Sequence, residues 1–203
     1  DEEDKVIYQK KLSNQLDVIL QQLAVFKERI VAIAIESTFN WYWLVDGLQA
    51  EGYQVKLVNT AAVQIYSGLK HTDDKDDARW LAHLMRLDIL PTGYIYPKEE
   101  RALRDLLRKR SQLVRQCTTN ILSAQNILIR NTSVSISGSK LKTIELSELD
   151  LLLEDPNIIL ALKSNIMIIK SLQTGIKVIE KSVLNQMKLR PEFKQLLTVN
   201  GIG

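Results

Sequence analysis

Short apolar runs alternate with stretches of helical periodicity over the first 97 residues. Residues 30–35 (IVAIAI) are continuously apolar and largely β-branched, which predicts a strand covered on both faces. A second strand is predicted at 53–58, and residues 5–12 alternate loosely enough to form an edge strand. Helices are predicted at 13–26, 40–49 and 60–66, and from the acidic cluster at 73–77 to Leu87. This alternation predicts an α/β layer with a mostly parallel sheet.

A heptad pattern replaces this alternation after Pro97. From Lys98 to about Asn131 there is no Pro or Gly, and apolar residues recur every seven positions at Leu107, Val114, Ile121 and Leu128. After a Ser- and Gly-containing connector at 132–142, a second series begins near Pro156 and includes Leu162, Ile169, Ile176 and Val183. Two long heptad-bearing helices predict either an antiparallel hairpin or a coiled-coil dimer.

Composition narrows the class of protein. The 203 residues have a net charge of +3, with 45% hydrophobic and 25% charged residues, as in ordinary globular proteins. The single cysteine, Cys117, excludes an intramolecular disulfide framework and fits a reducing cytoplasm. No apolar run approaches the roughly 20 residues that span a bilayer, and no secretory signal is visible. We therefore expect a cytoplasmic protein without a membrane partner.

Acidic residues are the first candidates for chemistry. Glu36 directly follows the predicted central strand, at the strand end where open α/β sheets place their sites. In the cluster 73–77, Asp74 and Asp77 are three residues apart and can face one point from one side of a helix. Oxygen ligands of this kind suit Mg²⁺ or Mn²⁺, and two such ions can assist phosphodiester displacement. The alternatives are a solvated acid at Glu36 and aspartates that only complement a helix dipole.

Basic residues in the first heptad segment are the second candidates. Between Lys98 and Arg130 there are eight Lys or Arg residues and three acidic ones. Four arginines are spaced to form one stripe, namely Arg101, Arg104, Arg108 and Arg115. Such a stripe could follow DNA phosphates, although a solvated helix face is the commoner explanation. The two histidines have no pattern typical of zinc ligands, and no Gly-rich phosphate loop or nucleophile elbow is present.

Several phrases of the sequence resemble the DEDD transposases of bacterial and archaeal insertion sequences. They are AIEST at 34–38, YWLVDGL at 42–48, YSGLKHTDD at 66–74, DARWLAHL at 77–84 and ILPTGYIYPKEER at 89–101. In addition, LLTVNGIG at 196–203 looks like the opening of the second domain of that family. The resemblance extends over nearly the whole chain.

The resemblance implies a fold and a chemistry. It implies an α/β domain of the ribonuclease-H (RuvC-like) fold at 1–97, a long helical coiled-coil arm at 98–190, and the start of a C-terminal domain at 191–203. Carried over by position, the metal-binding acids of the family are Glu36, Asp74 and Asp77, with Asp73 left open as an alternative to Asp74. The implied partners are the element ends and target DNA, a structured guide RNA in some members, and a second copy bound through the arm.

Two departures from the family pattern shape the functional hypotheses. The first aspartate of the family precedes residue 1, and its serine nucleophile follows residue 203, so we expect a chain truncated at both ends. The first hypothesis is therefore an incomplete metal-dependent DNA recombinase. The second is a catalytically dead module for nucleic-acid binding and dimerisation. A third is a structural coiled-coil protein whose acidic cluster only begins a helix.

Overall fold

A three-stranded sheet lies at the centre of the first part of the chain. The structure, a computed structural model, describes residues 3–38, 40–63, 74–188, 190–199 and 201, and of residues 74–76 the main chain alone. Strands β1 (Ile33–Glu36) and β2 (Val55–Val58) are parallel, with Glu36 opposite Val58. Strand β3 (Thr92–Gly93) is antiparallel to β2 and pairs with its last two residues. The predicted α/β architecture is confirmed, but the sheet is mixed, with one parallel and one antiparallel pair where a mostly parallel sheet was predicted.

Helices cover both faces of this sheet. Helices α1 (Leu16–Ala24) and α2 (Tyr42–Ala50) pack on the face that contains Ile33, Ile35, Val55 and Leu57. Helix α3 (Thr60–Val63) follows β2, and helix α4 (Asp74–Arg86) packs on the opposite face, against Ala34 and Val58. Because side chains alternate along a strand, the continuously apolar segment 30–35 supplies both faces, as predicted.

Two local predictions differ from the structure. Residues 5–12 form no strand. Tyr8 instead donates a hydrogen bond to Gln22 of α1 at 2.7 Å, and its ring lies 5.3 Å from that of Phe26, which follows α1. Strand β3 was not predicted, because its two residues are too few to produce a periodic pattern. It forms because the chain re-enters the sheet at Pro91, whose carbonyl accepts a hydrogen bond from Asn59 N–H.

The heptad segments form an antiparallel helical hairpin within one chain. Helices α5 (Lys98–Thr132) and α8 (Pro156–Met187) are joined side by side by hydrogen bonds from Arg110 to Glu180 and from Asn165 to Ser123. Partner numbers on α8 fall as those on α5 rise, which is the register of an antiparallel pair. Of the two arrangements that the heptads allow, the intramolecular hairpin is the one observed.

The connector between the long helices contributes to the core of the hairpin. It contains α6 (Gly138–Leu141) and α7 (Leu146–Leu149), and helix α9 (Pro191–Leu196) follows α8. The fully buried Leu141 and Leu149 pack in the same cluster as Leu128 and Leu162.

The chain separates into two compact units, at 1–98 and 99–203. Across the described residues, no helix has an apolar stretch that could cross a bilayer.

A helical glycine in α8 offers a test of this packing. A Cβ added at Gly175 would lie 3.4 Å from Leu113 Cδ1, which is an ordinary contact. Since glycine is about 0.8–1.0 kcal/mol less favourable than alanine in a helix, we expect Gly175→Ala to raise the free energy of unfolding by up to about that amount. Denaturant titration measures the change. In Gly47→Ala, the new Cβ would collide with Leu16, so the same gain should not appear.

Candidate metal-binding and nucleic-acid-binding residues

Glu36 is the last residue of β1 and is exposed. Ala34, two residues earlier, packs in the cluster between the sheet and α4. Residues two apart on a strand point to the same face. Glu36 therefore lies on the face of β1 that is covered by α4.

Asp77 lies in the first turn of α4 and is half-buried, with its Oδ1 atom shielded from solvent. It precedes the buried Leu84 by seven residues, which is two helical turns, so both lie on the side of α4 that faces the sheet. Glu36 and Asp77 thus belong to facing surfaces of one strand and one helix. Sequence spacing alone does not indicate this relation, because it depends on how α4 packs.

The remaining acids of the cluster are described only in part. Asp74 is the first residue of α4, and its side chain lies outside the described residues, as does the whole of Asp73. Among the side chains that the structure describes, no three His, Cys, Asp or Glu residues converge closely enough to hold a metal ion. The donor chemistry of Glu36 and Asp77 nevertheless fits a hard divalent cation, since both offer carboxylate oxygens.

The four candidate arginines of α5 differ in their exposure. Arg101 is only 5% exposed, so its side chain does not face solvent. The Arg104 side chain is 22% exposed and lies 3.7 Å from Asp105. Arg108 and Arg115 are exposed. The four arginines therefore share the spacing of one helix face, but Arg101 is enclosed by protein.

A polar cluster on α4 was not anticipated from the sequence. Asp4 Oδ2 lies 3.1 Å from His83 Nδ1, and Asp4 Oδ1 lies 3.7 Å from Arg86 Nε. The ring of His83 stacks on that of Trp80 at 5.6 Å. Asp4 and His83 are 79 positions apart, so no local pattern could relate them.

These contacts change the titration of Asp4. The hydrogen bond with His83 is the main cause that lowers the pKa of Asp4 below its ordinary value, and the charges of His83, Arg86 and Arg79 add to it. A carboxylate whose pKa is lower in the folded than in the unfolded state stabilises the fold at pH values above its unfolded-state pKa. That contribution is lost as the pH falls through the lower, folded-state value. At neutral pH, Asp4 is therefore an ionised partner of His83 and Arg86.

Comparison with known proteins gives the chain its family. Curated proteins contain no significant match to it. The model of a transposase family, the DEDD transposases of the IS110 type, matches residues 1–130. This match includes the sheet, helix α4 and most of α5, and it extends over more than half of the 203 residues. The chain belongs to the family of IS110-type DEDD transposases of insertion sequences.

Proposed function

We propose that the chain acts in DNA recombination by a metal-dependent mechanism, with Glu36, Asp74 and Asp77 as the metal-binding acids. The family match over residues 1–130 is the observation on which the proposal depends. The facing positions of Glu36 on β1 and Asp77 on α4 support it. So does the parallel β1–β2 pair with α4 packed on it, which suits a ribonuclease-H (RuvC-like) fold.

The proposed acids have a common chemical task. Asp74 and Asp77 are three residues apart on α4, so both carboxylates can approach one side of a site that Glu36 approaches from the sheet. Bound there, Mg²⁺ or Mn²⁺ would supply Lewis-acid activation of a phosphodiester and stabilisation of its developing charge. The acids orient the site and keep it anionic. Without a cation, carboxylates brought together would repel one another.

The second unit has the features of a DNA-binding arm in this proposal. Arg108 and Arg115 are exposed on α5, and helices rich in arginine commonly contact phosphates. The proposed organisation is a catalytic domain at 1–97, the helical arm at 98–190 and the start of a further domain at 191–203. DNA is the proposed partner. A structured RNA and a second copy of the chain are further proposed partners of the arm.

Manganese titration of the variant Asp77→Asn tests the metal site. We expect Mn²⁺ to raise the melting temperature of the unmodified protein, because a ligand that binds only the folded state stabilises it. The stabilisation is about 2.7 kcal/mol at a free ligand concentration 100 times the dissociation constant. Asp77→Asn keeps the side-chain shape and removes the charge, so the response to Mn²⁺ should be largely lost. Differential scanning fluorimetry and calorimetric titration measure both effects.

Asp17→Asn is the matched control. Asp17 also lies in the first turn of a helix, α1, and is exposed. Like Asp77, it interacts with the dipole of its helix, but it is not a proposed metal ligand. The variant Asp17→Asn should therefore keep the Mn²⁺ response of the unmodified protein. Equal Mn²⁺ responses of Asp77→Asn and the unmodified protein would refute the metal site. DNA binding without any Mn²⁺ response would instead favour a catalytically dead module for nucleic-acid binding.

A further inference from the structure

A cavity of about 310 Å³ lies along α4 in the first unit. Residues 4–9, which have no regular secondary structure, form one wall. The other wall consists of α4 residues that are all exposed, namely Ala78, Arg79, Ala82 and Arg86. We call this cavity the α4 groove.

The α4 groove is separate from the proposed metal-binding acids. Arg79 follows Asp77 by two positions, which is about 200° around the axis of an α-helix. Asp77 is on the side of α4 that packs on the sheet, whereas Arg79 is exposed. A ligand in the groove would therefore not contact the Asp77 carboxylate.

The shape of the groove suits a chain-like anion. Ala78 and Ala82 are one turn apart, and their short side chains allow a ligand to approach the helix closely. Arg79 and Arg86 are seven residues apart, so their Cα atoms are separated by about 10.5 Å along the helix axis. That separation is roughly the rise of three nucleotides along one strand of B-form DNA, at 3.4 Å each.

The charge of the groove favours the same class of ligand. Among the described residues, its lining includes the cations Lys5, Arg79 and Arg86 and the carboxylate of Asp4. That carboxylate contacts His83 and Arg86 and also interacts electrostatically with Arg79, so it offsets part of the positive charge of the groove. With three cations and one carboxylate, the described lining keeps an excess of positive charge. Arginine can bind a phosphate through two parallel hydrogen bonds.

We propose that the α4 groove binds the phosphodiester backbone of one DNA strand, with Arg79 as its main contact and Arg86 as the second. The proposal rests on the proposed function in DNA recombination and adds to it a backbone site on the side of α4 that faces away from Asp77. A strand bound by both arginines would run along α4, so the site would orient the nucleic acid relative to the proposed metal-binding acids.

Anisotropy titration of a fluorescently labelled oligonucleotide tests the groove. Arg79→Gln removes one cation from an exposed position, and we expect affinity to fall about two- to fivefold near 0.1 M salt, as for a single exposed ion pair. The slope of log affinity against log salt should become shallower by about 0.7–0.9, the value for one phosphate contact. Ala82→Glu, which places an acid in the groove, should weaken binding at least as much.

Arg29→Gln is the matched control, because Arg29 is an exposed arginine of the same unit that does not line the groove. Its affinity and salt slope should equal those of the unmodified protein. The groove proposal is overturned if Arg79→Gln leaves both quantities unchanged, or if Arg29→Gln lowers them equally. In either case, DNA binding and the Mn²⁺ response of the unmodified protein would leave the proposed function standing. Absence of DNA binding by the unmodified protein would overturn both.

Discussion

Leu162→Ala in α8 is expected to lower the free energy of unfolding by about 2–5 kcal/mol, as buried leucine-to-alanine changes do. Leu162 has no exposed surface and packs in a cluster with Leu128 of α5 and with Leu141 and Leu149 of the connector. Its removal leaves a cavity that touches several elements at once, so the neighbours cannot collapse into it without moving a helix. Denaturant titration followed by far-UV circular dichroism measures the loss.

The control for this change is two residues away on the same helix. Leu160 is 65% exposed, so Leu160→Ala removes little buried surface and should alter stability by no more than about 0.5 kcal/mol. Both variants exchange the same side chains in α8, and their intrinsic helix propensities therefore cancel. Equal effects of the two substitutions would mean that the hairpin core is not as the structure describes it.

Leu84→Ala is the second change with a large expected effect. Leu84 is 1% exposed and packs between α4 and the sheet with Val58 and Leu90. We expect a loss of about 2–5 kcal/mol, again from lost burial and a residual cavity. Because the same face of α4 includes Asp77, the loosened helix should also weaken the Mn²⁺ response, although Leu84 is not a ligand.

Leu87 provides the comparison for α4. It lies just after the helix and is 45% exposed, so Leu87→Ala should leave the stability and the Mn²⁺ response nearly unchanged. Thermal unfolding with and without Mn²⁺ reports both quantities in one experiment. If Leu84→Ala reduced stability but left the Mn²⁺ response intact, the packing of α4 would not be what positions Asp77.

Local signals predicted strand β1 and the two long helices. The apolar run 30–35 supplies residues to both covered faces of β1, and the absence of Pro and Gly after Lys98 matches the 35-residue α5. Helix α8 begins at Pro156, as predicted, because Asp155 accepts hydrogen bonds from the main-chain N–H groups of Asn157 and Ile158, and proline suits the first helical position. Each of these features depends on residues that are close in the sequence.

The positions and exposure of the candidate residues depended more strongly on tertiary packing. Helical spacing predicts that Asp74 and Asp77 lie on one side of α4. Only the packing of Ala34 against α4 shows that Glu36 lies on the strand face opposite Asp77. The arginine stripe was defined by helical periodicity, which cannot show that Arg101 is enclosed while Arg108 is exposed. Helical spacing determines the side of a helix, whereas exposure depends on what packs there.

The sequence by itself determined the two parallel strands, the main helices, the heptads of the two long helices and the family phrases, because these follow from backbone preferences and short-range spacing. Tertiary structure decided that the heptads pair within one chain, that the connector fills the hairpin core, and that Asp4 meets His83 across 79 positions. It also decided that residues 4–9 lie beside the exposed face of α4. Such long-range contacts reflect the packing of whole elements, which no local pattern encodes.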